Sequence, residues 1–74
     1  MPTSLPVAVG RHVRELRQQR GISQEDLAAR AGLHRNYVGS VERGERDIGI
    51  TAIWRIARAL GVSLAEFFAP IDRR

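Results

Sequence analysis

The chain has 74 residues, a formal net charge of +4 and a pI of about 11.3. This length supports one domain with a modest core, and the absence of cysteine excludes disulfide bonds and thiolate metal sites. No apolar stretch is long enough to span a membrane, and the N-terminus lacks the basic start of a secretory signal, so we expect a cytoplasmic protein. All 12 basic residues are arginine. Arginine favours a polyanionic partner because it binds phosphate and guanine in a bidentate manner, although a GC-rich genome would produce the same bias.

Apolar spacing and capping signals predict two helices in the first half of the chain. The first covers about 6–19 and stops before Gly21, with its apolar residues at i, i+4 and i+7. Ser23 followed by Asp26 resembles a capping box, so a second helix begins there and ends at Gly32. The apolar residues of these two helices are Val9, Val13, Leu16, Leu27, Ala28 and Ala31.

Three further helices are predicted in the second half. The third covers about 34–43, and the fourth covers about 50–60. Ser63 with Glu66 is a stricter capping box, and it opens a fifth helix that should end at Pro70. The fourth and fifth helices carry the apolar residues Ile53, Ile56, Ala57, Leu60, Leu64, Phe67 and Phe68. No stretch alternates with period two over the length of a strand, so the predicted fold class is all-α.

The third helix has an apolar face and a hydrogen-bonding face. Val38 and Val41 share one side, and Arg35, Asn36 and Ser40 lie on the other. The turn before this helix is short and begins with a glycine, which is typical of a helix-turn-helix unit. In that unit the second helix lies in the major groove of DNA. Arginine can bind guanine there, asparagine can bind adenine, and serine can bind either base or a phosphate.

Gly39 lies inside the predicted third helix, where glycine costs about 1 kcal/mol relative to alanine. Two interpretations remain open from the sequence. The missing side chain lets the DNA backbone approach closely, or it lets another helix pack closely against this one.

The stretches ISQEDLAARAGLHRNYVGSVERGER and IARALGVSLAEFF resemble the phage repressor and Cro type of helix-turn-helix domain, the XRE family. The shorter stretch HRNYVGSVERGER is similar to the controller proteins of restriction-modification systems. The similarity covers roughly residues 9–68. It implies a five-helix domain, formed by residues 9–69, that dimerises through its C-terminal helices and binds inverted-repeat operators near promoters. Residues 1–8 would then form an N-terminal arm and the start of the first helix, and residues 70–74 a C-terminal tail.

The resemblance also implies roles for single residues. Gln24 would contact phosphate and brace the third helix, and Arg46 would approach the DNA backbone or minor groove. Residues at base-facing positions are Arg35, Asn36 and Ser40. Residues at positions close to the sugar-phosphate chain are Tyr37 and Arg43. Arg17 and Glu42 match a charged pair that joins the first helix to the third.

Two positions depart from the family pattern. His34 replaces the usual polar cap of the third helix, so it is either a weaker cap or a phosphate contact. Ile48 and Gly49 replace the usual polar cap before the fourth helix. The residues that we expect at the dimer interface are Trp54, Leu64, Phe67 and Phe68, with Trp54 able to act instead as an edge of the core.

An enzyme and a protein adaptor are the competing functions. His12 and His34 lie on different predicted helices without metal-ligand spacing, and no glycine-rich phosphate loop follows a strand. We therefore expect no catalytic residue, metal, cofactor or small-molecule substrate. An antitoxin or adaptor can use this fold without reading bases, but it has no need for Arg35, Asn36 and Ser40 together. The sequence therefore predicts a homodimeric regulator that binds double-stranded DNA.

Overall fold

The computed structural model describes residues 4–73, which form five α-helices joined by turns and loops. Their bounds are Leu5–Gln19 for α1, Gln24–Ala31 for α2, Arg35–Glu42 for α3, Ile50–Ala59 for α4 and Leu64–Asp72 for α5. No strand occurs in this part of the chain. The all-α, five-helix prediction is therefore confirmed. Residues 1–3 of the predicted N-terminal arm and Arg74 of the predicted tail lie outside the described residues.

Local capping explains where α2 and α5 begin. The Ser23 Oγ accepts a hydrogen bond from the backbone N–H of Asp26 at 3.0 Å. At the start of α5 the bonds are reciprocal, because Ser63 Oγ accepts from Glu66 N–H and Glu66 Oε1 accepts from Ser63 N–H. The hydrogen bond from the Ser63 backbone N–H, with a smaller contribution from the Ser63 side chain, holds the pKa of the Glu66 carboxyl below its usual value. The second site is thus a full capping box, and the first is a simple N-cap.

The end of α5 differs from the prediction. The helix continues through Pro70 to Asp72, and Ile71 is only 7% exposed. Proline removes one backbone donor and so one i→i−4 hydrogen bond, and the helix ends two residues later at Asp72. Burial of Ile71, four residues after Phe67, continues the apolar face of the helix. Residues 70–72 therefore belong to the folded domain and are not part of a tail.

The core positions α3 from its inner side. α1 packs against α3, and α2 packs against both α3 and α4. The largest completely buried side chains are Phe67, Leu27, Ile56, Val13, Val38 and Val41. Gly10 allows the backbones of α1 and α3 to touch, because a Cβ at this position would clash with the carbonyl oxygen of Val41. This close approach fixes the C-terminal end of α3 against α1.

Candidate nucleic-acid interface

The turn between α2 and α3 is formed by residues 32–34. Gly32 has φ 68° in the left-handed region, which glycine adopts without steric cost. His34 occupies the N-cap of α3, and its Nδ1 accepts a hydrogen bond from the backbone N–H of Asn36 at 3.1 Å. His34 thus acts as the cap of α3, as one of its two predicted roles requires. A contact with phosphate stays a prediction.

The two faces of α3 differ as the apolar spacing predicts. Val38 and Val41 are buried in the core, whereas Arg35, Asn36 and Arg43 are exposed. Because the valines fix the rotation of the helix, the three polar side chains form one outward surface. This surface, which we call the α3 outer face, carries guanidinium and amide groups that can hydrogen-bond to base edges in a major groove.

Glu42 connects α3 to both α1 and α2. Its Oε2 accepts from Arg17 Nε at 2.7 Å, and its Oε1 accepts from Arg17 Nη2 and from Gln24 Nε2, each at 3.0 Å. Arg17 Nη1 also donates to the carbonyl of Ile22 at 2.9 Å. The hydrogen bond to Glu42 raises the pKa of Arg17, with burial opposing it. The predicted charged pair is therefore present as a bidentate contact, and it also holds Gln24 beside α3.

Arg43 follows Glu42 at the C-terminal end of α3, and unlike Glu42 it is exposed to solvent. Its Nε donates to Glu45 Oε2 at 3.0 Å, and both side chains are exposed. The pairing raises the pKa of Arg43 and lowers the pKa of Glu45. A Cβ on Gly39 would lie 3.1 Å from Arg43 Nη1 and 3.5 Å from Gln24 Oε1. Gly39 is buried and lies close to the side chain of Gln24 on α2 as well as to Arg43, so packing of another helix contributes at this position, and close approach of the DNA backbone stays a prediction.

Ser40 is not the free hydroxyl that a base-reading role requires, and this corrects the prediction for it. The residue is buried. Its Oγ donates to the carbonyl of Tyr37 at 2.7 Å and accepts from Arg46 Nε at 2.9 Å. The Arg46 guanidinium carbon also lies 5.0 Å from the centre of the Tyr37 ring. The loop after α3 thus folds back over this edge of the helix and covers the serine.

Arg35 begins α3 and remains available. Its Nη1 lies 3.4 Å from Glu25 Oε2, and both side chains are largely exposed. An exposed pair at this distance contributes little free energy, so Arg35 can leave Glu25 for a DNA acceptor at little cost.

An apolar surface lies away from α3, at the start of α1 and along α4 and α5. Its most exposed members are Leu5 at 60%, Ile50 at 80% and Trp54 at 46%. The half-buried Leu64 and Phe68 adjoin them, and Leu5, Ile50, Leu64 and Phe68 line one cleft. The name α4–α5 surface denotes Leu5, Ile50, Trp54, Leu64 and Phe68.

The predicted set for this surface included one residue that is buried and left out two that are exposed. Phe67 is completely buried in the core of its own chain and has no surface left for a partner, which corrects its place at the interface. Leu5 and Ile50 were missed. Ile50 stands at the first position of α4, where the sequence offers too little periodicity to separate an inward from an outward side chain. Trp54 packs its ring under the guanidinium of Arg58, whose Cζ lies 4.8 Å from the ring centre.

Other classes of site receive no support within residues 4–73. No group of three or more histidine or acidic side chains is placed to hold a metal ion there. None of the described helices is long and apolar enough to cross a membrane.

Residues 13–67 match the protein family HTH_3, described as Helix-turn-helix. An HTH-type transcriptional regulator from Sinorhizobium fredii, y4dJ, is 39% identical over 64 residues, which are 86% of this chain and 83% of that protein. The crystal structure of the restriction-modification controller protein C.AhdI from Aeromonas hydrophila has a TM-score of 0.82 at 46% identity, covering 85% of this chain and 96% of that one.

The controller protein C.Esp1396I was solved as a tetramer in complex with its natural 35 base-pair operator. That chain superposes with a TM-score of 0.88 at 30% identity, over 97% of this chain and 95% of that one. The family match spans the α2–α3 unit of this chain together with Arg17, Gln24 and Glu42. The chain described here belongs to the helix-turn-helix family HTH_3, which is a family of DNA-binding regulators and not of enzymes.

Proposed function

We propose that this protein is a sequence-specific transcriptional regulator that places the α3 outer face in the major groove of operator DNA. One observation carries the proposal: Arg35, Asn36 and Arg43 point outward from a helix whose rotation is fixed on its other side. Because the backbone of α3 is already fixed, little backbone freedom is lost on binding, so more of the contact energy is retained as affinity.

The donors divide into two kinds. Arg35 and Asn36 lie at the N-terminal end of α3, which is the end that meets base edges in this type of unit. We assign guanine to Arg35 and adenine to Asn36 because their donors and acceptors match those bases. Contacts to the DNA backbone are assigned to Gln24, His34, Tyr37, Arg43 and Arg46. Such contacts position the protein without selecting a sequence.

The same proposal includes a homodimer formed through the α4–α5 surface. The surface is apolar, and an indole is a common anchor of interfaces. A two-fold dimer presents two copies of α3 to the two halves of an inverted repeat. We expect Trp54→Ala to shift the protein toward monomer in sedimentation at micromolar concentration. Gln19→Ala, an exposed change on α1, is the control. An unchanged dimer in Trp54→Ala would remove Trp54 from the interface.

The similarity to controller proteins supports a narrower assignment. Two of the compared proteins are restriction-modification controllers, and we propose the same role here, in the cytoplasm, where the genes are. The adjacent genes test this assignment. A neighbouring endonuclease and methyltransferase pair supports it, and a toxin gene in that place contradicts it in favour of an antitoxin.

The DNA-binding function is tested by selecting bound duplexes from random DNA with the purified protein. We expect enrichment of an inverted repeat whose half-sites lie about 34 Å apart, which is one helical turn. Affinity for the selected duplex should exceed affinity for random DNA by about 10³-fold or more. Equal affinity for all duplexes would contradict sequence-specific regulation and favour an adaptor.

A further inference from the structure

The hydroxyl of Ser40 has little capacity left for DNA. A serine hydroxyl has one proton to donate and two lone pairs to accept with. The proton is directed to the carbonyl of Tyr37 at 2.7 Å, and one lone pair accepts from Arg46 Nε at 2.9 Å. Donation to a base would break the bond to Tyr37, and only one lone pair remains to accept from a base within this buried site.

Arg46 is held on two sides by these contacts. Its Nε is bonded to Ser40, and its guanidinium plane is attracted to the ring of Tyr37 with Cζ at 5.0 Å from the centre. The terminal Nη1 and Nη2 make no hydrogen bond within the described part of the chain, and the residue is exposed. The contacts at Nε and Cζ thereby order a side chain that is normally flexible, and its Nη1 and Nη2 remain able to donate to another molecule.

Ser40 also orders the backbone that carries Arg46. Its carbonyl accepts from the N–H of Glu45 at 3.0 Å, while the carbonyl of Val41 accepts from Gly44 N–H at 2.9 Å. Gly44 has φ 74° in the left-handed region, which lets the chain reverse at the end of α3. Both the loop and the side chain of Arg46 are therefore fixed relative to the same turn of α3.

We infer that Ser40 is a positioning residue for Arg46: its hydroxyl, together with the Tyr37 ring, aims the free Nη1 and Nη2 at an acceptor oxygen of the operator. This inference rests on the proposed function and deepens it. It replaces direct base contact by Ser40 with an indirect effect through the loop arginine. The acceptor is either a phosphate or a base edge, and both offer the paired oxygen or nitrogen acceptors that a guanidinium binds.

The expected loss of DNA affinity in Ser40→Ala follows from the one hydrogen bond that the hydroxyl accepts from Arg46. Ser40→Ala keeps Arg46 and its charge but leaves the side chain to be ordered on binding. Ordering one long side chain costs enough to weaken binding by about two- to tenfold. The fold should persist, since alanine favours helix and Arg46 Nε can turn to water. Arg46→Ala removes the contact itself and should weaken binding more than Ser40→Ala does.

A double-mutant cycle tests the inference. Affinities for the selected duplex are measured for wild type, Ser40→Ala, Arg46→Ala and the double variant. We expect the double variant to bind as Arg46→Ala does, because the hydroxyl has no effect without the arginine. Additive losses would show that Ser40 contacts DNA on its own and would overturn the inference. The control pair is Ser40→Ala with Arg43→Ala, which should be additive because these residues share no contact in the described structure.

Two further measurements separate this inference from the proposed function. In DNA-free protein labelled with 15N, the Arg46 Nε–H signal should exchange slowly in wild type and rapidly in Ser40→Ala; equal exchange overturns the inference without reference to DNA. With DNA, the base positions affected by Ser40→Ala should be the same as those affected by Arg46→Ala. A uniform loss in both identifies phosphate as the acceptor, and a base position changed only by Ser40→Ala contradicts positioning. Failure of wild type to bind any selected duplex would instead refute the proposed function.

Discussion

Two arginine–glutamate pairs lie at the C-terminal end of α3 and have opposite surroundings. The Arg17–Glu42 pair spans 2.7 Å between helices, with side chains only 13% and 2% exposed. The Arg43–Glu45 pair spans 3.0 Å within the adjoining loop, with side chains 59% and 57% exposed. Glu42 and Arg43 are neighbours in the chain, yet the first side chain is buried against α1 and the second is exposed to solvent.

One kind of contact can therefore either support the fold or remain available for a ligand, depending on its burial. Losing one partner of a buried pair leaves a charge without compensation. Water and salt screen an exposed pair, and its arginine can exchange one acceptor for another at little cost. The Arg17–Glu42 pair therefore holds α3 in position, whereas the Arg43–Glu45 pair leaves its arginine accessible at the α3 outer face.

Removing the buried carboxylate of the Arg17–Glu42 pair should lower the stability of the fold strongly. Glu42→Ala should lower the free energy of unfolding by about 3–5 kcal/mol, because Arg17 would be left without its carboxylate inside the fold. Glu45→Ala, which removes the exposed carboxylate, should leave the free energy of unfolding close to that of wild type. Chemical denaturation monitored by circular dichroism checks both variants. Equal midpoints for Glu42→Ala and wild type would show that the two pairs are energetically alike.

A second prediction concerns DNA. Arg43→Ala should weaken binding to every duplex alike and reduce the slope of log K against log salt by about 1, because one phosphate contact is lost. Its stability should remain close to that of wild type. Fluorescence anisotropy over a series of salt concentrations gives the slope. A slope identical to that of wild type would mean that Arg43 stays with Glu45 in the complex.

Glu45→Gln should produce a smaller change in the opposite direction. The Glu45 carboxylate competes with phosphate for Arg43 and adds a negative charge close to the DNA. Removing that charge should tighten binding by a few-fold at most, since water and salt screen an exposed pair and leave it weak. Weaker binding by Glu45→Gln would show that Glu45 orients Arg43 for DNA instead of competing for it.

The smallest effect is expected at the other end of α3. His34→Asn places a preferred N-cap residue where the imidazole now accepts from Asn36 N–H. We expect the free energy of unfolding to rise by about 0.5 kcal/mol. Thermal unfolding followed by circular dichroism measures it, with His34→Ala, which has no acceptor, as the destabilised control. A loss of stability in His34→Asn would mean that the histidine packs favourably beyond its capping bond.

Most of the fold could be predicted because each helix carries its own local signals. Serine caps, glycines after helices and apolar residues three or four apart are readable without tertiary information. Pro70 shows where local reasoning fails. The rule that proline ends a helix is weaker than burial of Ile71, and burial is a property of the whole fold.

The candidate site was predictable only in part. Val38 and Val41 fix which side of α3 faces outward, so the exposure of Arg35 and Asn36 follows from spacing alone. Ser40 lies on that outward side by the same spacing. Its hydroxyl is covered because the loop after α3 returns to it, and this contact depends on a chain reversal that spacing does not encode. The Arg17–Glu42 contact joins distant parts of the chain: apolar spacing places both residues at the edge of the core, and the family resemblance pairs them.

We propose that α3 recognises bases through Arg35, whereas Arg43 contacts only the DNA backbone. Competition binding of Arg35→Ala and Arg43→Ala against operators substituted one base pair at a time tests it most directly. We predict that Arg35→Ala loses about 1–3 kcal/mol on the preferred operator and no longer discriminates at one position in each half-site, whereas Arg43→Ala keeps the wild-type base preferences. Equal losses by Arg35→Ala on every substituted operator would contradict the account and make Arg35 a backbone contact.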